Sequence, residues 1–321
     1  MISLRQHIFS LVAVFVALAV GIAAGSTVVR GPLLDSLRAR LDSAEQNIET
    51  ERAENDLLAA ELAQLDGWSD DGPAQMVAGR LAGRAVVLVV AGDVDRDVAN
   101  GVVLSLRAAS ATIIGEVRID PIVFDPNEAT RVAEALGAAA VGVADPAALF
   151  GERMADMIAS VATNLTSTST SKGTARPAAA LSTAFGDLED FGLVDLLEME
   201  RGEVAITDVD VIVLTDRNLV ADPARVLSGV VAVSDPEAAG LTVVVAEVGR
   251  IEQGNESPIP SFVGAIRDSG RLRDEVTTVD NAETVLGWIT VVLGLDAADA
   301  GSVQHYGFRD GADRTIPPRP T

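Results

Sequence analysis

A chain of 321 residues with 48% hydrophobic and 22% charged side chains can bury the core of one large domain or two smaller ones, which excludes disorder throughout. Its 24 basic against 47 acidic residues give a net charge of -23, so most of its surface repels nucleic acid. Cysteine is absent and histidine occurs twice, which removes disulfides, thiolate metal sites and cysteine nucleophiles together and leaves little for zinc catalysis.

The first predicted element is a membrane anchor over residues 1–31. Ile8 to Val29 is a run of 22 residues without a charge, and a helix of that length crosses a hydrocarbon core of about 30 Å. Ala23, Ala24 and Gly25 are small enough for signal-peptide cleavage, but the apolar region of such a peptide usually runs only about 7 to 15 residues, which favours a retained anchor. Basic residues flank both sides, Arg5 before the span and Arg30, Arg38 and Arg40 after it. Long acidic domains translocate largely regardless of flanking charge. The expected arrangement is therefore a single span in the cell membrane with the bulk of the chain outside the cytoplasm. Gly21 and Gly25 form a GxxxG pair, a candidate packing face for a second helix in lipid.

A coiled-coil helix is predicted over 32–66. With a at Leu34, the a and d positions are Leu34, Leu37, Leu41, Ala44, Ile48, Glu51, Asn55, Leu58, Leu62 and Leu65, apolar at all but Glu51 and Asn55. Asn55 at an a position suits a parallel pair, because a buried amide gives up stability for register. The expected partners are a second copy or a helical partner protein, besides the membrane itself. Residues 67–83 read as a linker, with the turn Asp70-Asp71-Gly72-Pro73.

Residues 84–308 read as an α/β domain. AVVLVVAGD after Arg84, TIIGEVRI at 112–119, AAAVGV at 138–143, DVIVLTD at 210–216 and LTVVVAEV at 241–248 are apolar runs without alternation, with helical stretches such as 94–109 between several of them. Such runs fit strands covered on both faces, in an open, mostly parallel sheet of flavodoxin-like or Rossmann-like type. The polar tract 163–177, TNLTSTSTSKGTARP, is predicted to be a mobile loop. Residues 309–321 are predicted to form a flexible tail.

Ligands of open α/β sheets usually sit at the carboxyl ends of the strands. Asp93, Asp95, Asp216 and Glu247 fall there and offer oxygen ligands to a cation, although the 93–97 run lies where a helix must be capped. Met154 and Met157 form an MxxM, a thioether pair suited to Cu(I) or simply a packed helix face. His305 is a candidate imidazole ligand or a structural hydrogen-bonding group. No GxGxxG follows Val90, and neither GxxxxGK[ST] nor GxSxG occurs. With no nucleophile–base set in view, enzymatic activity is not expected.

The opening MISLRQH, followed by an Ala/Val-rich span, resembles the start of the actinobacterial copper transport protein B family. The stretch TTVDNAETVLGWITVVLGL at 277–295, followed by GSVQHYG at 301–307, resembles that family's closing pattern. Ile2 through His7, Asp280, Gly287, Tyr306 and Gly307 carry the resemblance; the middle matches by its order of anchor, coiled coil and α/β domain. The resemblance implies a membrane-anchored envelope protein acting in copper homeostasis or transport, and it alone brings in copper. One span cannot form a pore, which needs several helices or a closed barrel, so transport would require oligomers or a partner. The residues also fit an envelope scaffold or regulator whose coiled coil docks a partner, such as a cell-wall enzyme assembly.

Overall fold

The computed structural model describes residues 6–23, 72–137, 145–217, 224–235, 239–249, 261–309 and 311–317. The chain divides into two compact units, Met1–Trp68 and Ser69–Thr321. The described part of the first unit is one helix, α1 (Gln6–Ala23), whose apolar side chains are all exposed. Its 18 residues are long and apolar enough to cross a membrane. Gly21 lies on it; Gly25 and every core position of the expected coiled coil, Leu34 to Leu65, lie outside the described residues, as does the run at 138–143.

The second unit is an α/β fold. Its parallel strands are β1 (Arg84–Ala91), β2 (Thr112–Ile119), β4 (Asp208–Asp216), β5 (Val243–Val248), β6 (Thr277–Val279) and β7 (His305–Tyr306); β3 (Val194–Glu198) runs antiparallel to β2. The order β3-β2-β1-β4-β5-β6-β7 is Rossmann-like, with chain progression reversing direction between β1 and β4. Every residue of β1 is buried. Val87 and Val89 face one core while Val86, Leu88 and Val90 face the other, which is why the strand reads as an unbroken apolar run rather than an alternation. The first core is covered by α5 (Pro146–Lys172), α6 (Pro177–Asp190), α7 (Ala224–Val231) and α8 (Phe262–Asp268); the second is covered by α3 (Arg96–Ala108) and α10 (Val285–Asp299). α5 and α7 touch through glycine: a Cβ on Gly151 would stand 2.1 Å from the carbonyl oxygen of Val226.

Three expectations need correction. The tract predicted as a loop is helical to Lys172, where Gly173 ends α5 in a left-handed conformation. Val161, Leu165 and Ser169 recur at four-residue spacing and are buried, and the Ser169 hydroxyl accepts the Ile206 N–H at 2.9 Å. Thr166, Ser167 and Ser171 donate back to carbonyls three or four residues earlier, so the helix satisfies hydroxyls that sequence composition assigns to a loop. The expected linker ends earlier than residue 83: a short helix, α2 (Gly72–Val77), leads into Leu81, and Val77 and Leu81 are fully buried in the second core. The tail returns to the sheet, since Arg314 bridges Tyr306 and the His305 N–H donates to Asp313 at 3.0 Å.

At the amino edge of the sheet, Arg84 holds Asp210 through Nε at 2.8 Å and through Nη2, and its Nη1 reaches Asp299. Burial pushes the Asp210 carboxyl up to about 6 against the pull of Arg84, and the neighbouring charges of Asp299 and Asp208 add to the rise. A folded value above the unfolded 3.8 means that this group's contribution to stability is complete below pH 3.8 and is lost as pH rises towards 6.

Two outcomes follow. In denaturant titrations across pH, the stability gap between wild type and Asp210→Asn should change between about pH 4 and 6 and level off above about pH 7. Leu165→Ala, inside the polar tract, should cost about 2–5 kcal/mol in denaturant unfolding, as a buried helix position does, whereas a loop residue would cost less than about 0.5 kcal/mol.

Candidate functional site at the carboxyl edge of the sheet

The strand ends nominated from sequence carry two linked polar clusters. Thr215 and Glu247 are register partners at the ends of β4 and β5 and are fully buried. Glu247 is paired with Arg309, whose other terminal nitrogen donates to the Gly249 carbonyl. Arg217 Nη1 stands 3.7 Å from Glu247 and the Val263 N–H 3.5 Å. Burial pushes the Glu247 carboxyl up, while Arg309, the Ser261 hydroxyl and Arg217 pull it down.

The second cluster centres on Asp280, just beyond β6. Its Oδ2 accepts from Arg267 Nη1 at 2.8 Å and from the Arg309 N–H at 3.1 Å; its Oδ1 accepts from the Phe308 N–H at 2.9 Å. Arg267, from α8, also donates through Nε to Thr278 Oγ1 and through Nη2 to the Tyr306 carbonyl, both at 2.9 Å. Both side chains of the ion pair are at most 2% exposed. Thr278 Oγ1 accepts from Arg267 and shares a hydrogen bond of 2.9 Å with His305 Nδ1, and the ring makes a second hydrogen bond with the backbone of Arg273. Burial lowers the His305 pKa, and Arg267 and Arg273 add to the effect against Asp313, which favours the uncharged ring. Both ring nitrogens are engaged, and metal ligation by His305 would require one of these bonds to break.

Met154 and Met157 lie elsewhere, on α5, buried in the first core with Phe150 and Ile158. Asp95 accepts the Asp97 N–H at 2.9 Å as the N-cap of α3, and Asp93 is exposed. Among the described residues no group of three His, Cys, Asp or Glu side chains is arranged to hold a metal ion. Glu247 and His305 stand out in the sequence, whereas Arg267, Arg309 and Thr278 carry no local signal. Arg309 and Glu247 are 62 residues apart in the chain, and no local spacing connects them.

The family-like residues at the C-terminal end converge on this cluster. Tyr306 is fully buried. Gly307 has φ +138°, and a Cβ there would stand 2.0 Å from Asp280 Oδ1. A Cβ on Gly287 would stand 2.0 Å from the Asn281 carbonyl oxygen. The pattern therefore records one close-packed turn around a buried carboxylate. A family model described as "Copper transport outer membrane protein, MctB" matches residues 1–317. The chain belongs to the MctB family. Its relatives include proteins named Copper transporter MctB from Mycobacterium tuberculosis and Mycobacterium bovis, each 26% identical over 320 residues that span 97% of this chain and 98% of the relative. The Mycobacterium leprae protein of the same name is 27% identical over 327 residues, spanning 99% of this chain and all of the relative.

In this MctB-family chain, Asp280→Asn should cost about 3–5 kcal/mol in denaturant unfolding, because Arg267 stays buried without its anion. Gly307→Ala should also destabilise, since the backbone conformation and the space both reject a Cβ.

Proposed function

We propose that the protein is a single-span, membrane-anchored envelope protein that acts in copper homeostasis or transport, with its α/β domain outside the cytoplasm. The end-to-end match to the MctB family, with relatives named copper transporters, carries this reading. The apolar helix α1 supports the anchor. A lone span offers no closed path through a bilayer, so the protein acts with further copies of itself or with a partner. The heptads of 34–65 are the segment suited to that association. The same heptads favour a second reading, an envelope scaffold in which partner docking is the activity itself.

Deleting the gene and measuring cell-associated copper after a copper challenge tests the reading. Cells lacking the protein should hold more copper, full-length protein should restore the level, and protein lacking residues 1–31 should not. Unchanged copper in the deletion strain would leave the scaffold reading in its place. Protease added to wall-stripped cells should digest the α/β domain. Replacing Met154 and Met157 with Leu should change stability by less than about 1.5 kcal/mol, as volume-conserving core swaps do, and should leave complementation intact, because the thioethers pack the first core.

A further inference from the structure

Helices α5 and α6 flank a solvent-open groove of about 610 Å³. Along α5 its wall is Ser160, Asn164, Thr168 and Lys172, one polar side chain every four residues, a stripe about 18 Å long at 1.5 Å per residue. Arg176, Thr183 and Glu203 line the groove as well. The chain segment carrying Glu203 is held in place by the Ala175–Val204 bridge. Val161, Ala180 and Ala184 supply a small apolar lining.

Hydrogen bonding separates this stripe from several of its neighbours. Thr166, Ser167 and Ser171 donate back to helix carbonyls. The side chains of Ser160, Asn164, Thr168 and Lys172 make no hydrogen bond or ion pair among the described residues, so their donors and acceptors are open to the groove. Charge is equally specific. Arg176 is bound to Glu203 through Nε at 2.9 Å and Nη2 at 2.8 Å, and this bond holds the Glu203 carboxyl below the usual carboxylate range. Lys172, the only lysine of a chain with net charge -23, also acts on Glu203, so two cations share one carboxylate and the groove keeps an excess of one positive charge.

We propose that this groove binds an acidic oligosaccharide, whose hydroxyls meet Ser160, Asn164 and Thr168 and whose single carboxylate or phosphate meets Lys172. The groove offers no aromatic or large aliphatic pocket to anchor an apolar peptide, and an excess of only one positive charge does not suit a polyanion. Open hydroxyl and amide groups in a row, with one positive charge at the end, match a row of sugar hydroxyls ending in one acid. The proposal stands apart from the copper reading, since binding is measured without metal.

The test is calorimetric titration of the detergent-solubilised full chain with two probes, xylotriose carrying one 4-O-methylglucuronate and mannopentaose 6-phosphate, against neutral xylotetraose and inorganic phosphate. At least one acidic oligosaccharide should bind with a Kd below about 10 mM, and whichever binds identifies the acid as carboxylate or phosphate. Lys172→Glu should weaken it by about tenfold or more, and Asn164→Ala by about threefold or more. Thr170→Ala, on the same helix outside the groove, should leave binding unchanged, with the thermal midpoint of every variant held. The proposal is overturned if neither probe binds, if neutral xylotetraose or inorganic phosphate binds as tightly, or if the groove variants bind like wild type.

Discussion

A buried guanidinium and a buried carboxylate meet where the last third of the domain closes, and the structure there depends on their pairing. Removing Arg267 and Asp280 from water is costly, and such a pair is tolerated only when hydrogen bonds satisfy the remaining donors and acceptors. Here the carboxylate also accepts two backbone N–H groups from the closing turn, while the guanidinium reaches a threonine and a backbone carbonyl. The pair thereby joins α8, the end of β6, β7 and the turn at 307–309. Two of these elements are very short, since β6 has three residues and β7 two, and ladder bonds alone would hold them weakly. Gly307 is required by the same constraint, because its missing Cβ is what lets the turn approach the carboxylate.

The arrangement of arginines explains how a chain so acidic keeps an ordered polar interior. At one edge of the sheet Arg84 is held by Asp210 and Asp299; at the other, Glu247 is met by Arg309 and Arg217, and Asp280 by Arg267. Guanidinium suits these places because its planar fork serves several acceptors at once and stays charged. Basic residues used inside in this way are not available to offset the acidic exterior. Both edges therefore act as fasteners, and the charged groups at the carboxyl edge, where many α/β folds bind their ligands, are spent on one another, while the Thr215 hydroxyl and the Asn281 amide there are buried without a hydrogen-bond partner among the described residues.

The second face of functional interest is helical. α5 is 27 residues long, much longer than needed to cover the strands beneath it. Its buried side carries Met154, Ile158, Val161 and Leu165, and its outer side carries Glu152, Arg153 and Asp156 in its first half and hydroxyls with the Asn164 amide further on. A helix built this way contributes to the core without exposing a large apolar surface, and its polar side is left for recognition.

The sequence by itself determined the parts whose burial is continuous. β1, β2, β4 and β5 were legible because strands covered on both faces carry apolar runs without alternation, with their buried polar residues mostly near the ends, and the uncharged N-terminal run was legible because no charge interrupts a membrane-length helix. Asp95 could be read as a helix cap because capping is local. Tertiary structure alone decided the rest. Whether 163–172 formed a loop or a helix depended on Leu165 and Ser169 finding a core and the Ile206 N–H, neither of which composition records. β6 and β7 are too short to announce themselves, and β3 is an edge strand covered only in part; all three exist because neighbouring strands supply their hydrogen bonds. His305 looked like a possible ligand in sequence; its ring nitrogens are committed to Thr278 and the backbone of Arg273, groups 27 and 32 residues away in the chain. Local pattern reports what a residue's own element buries, whereas a buried charge is defined by whichever distant segment brings its partner.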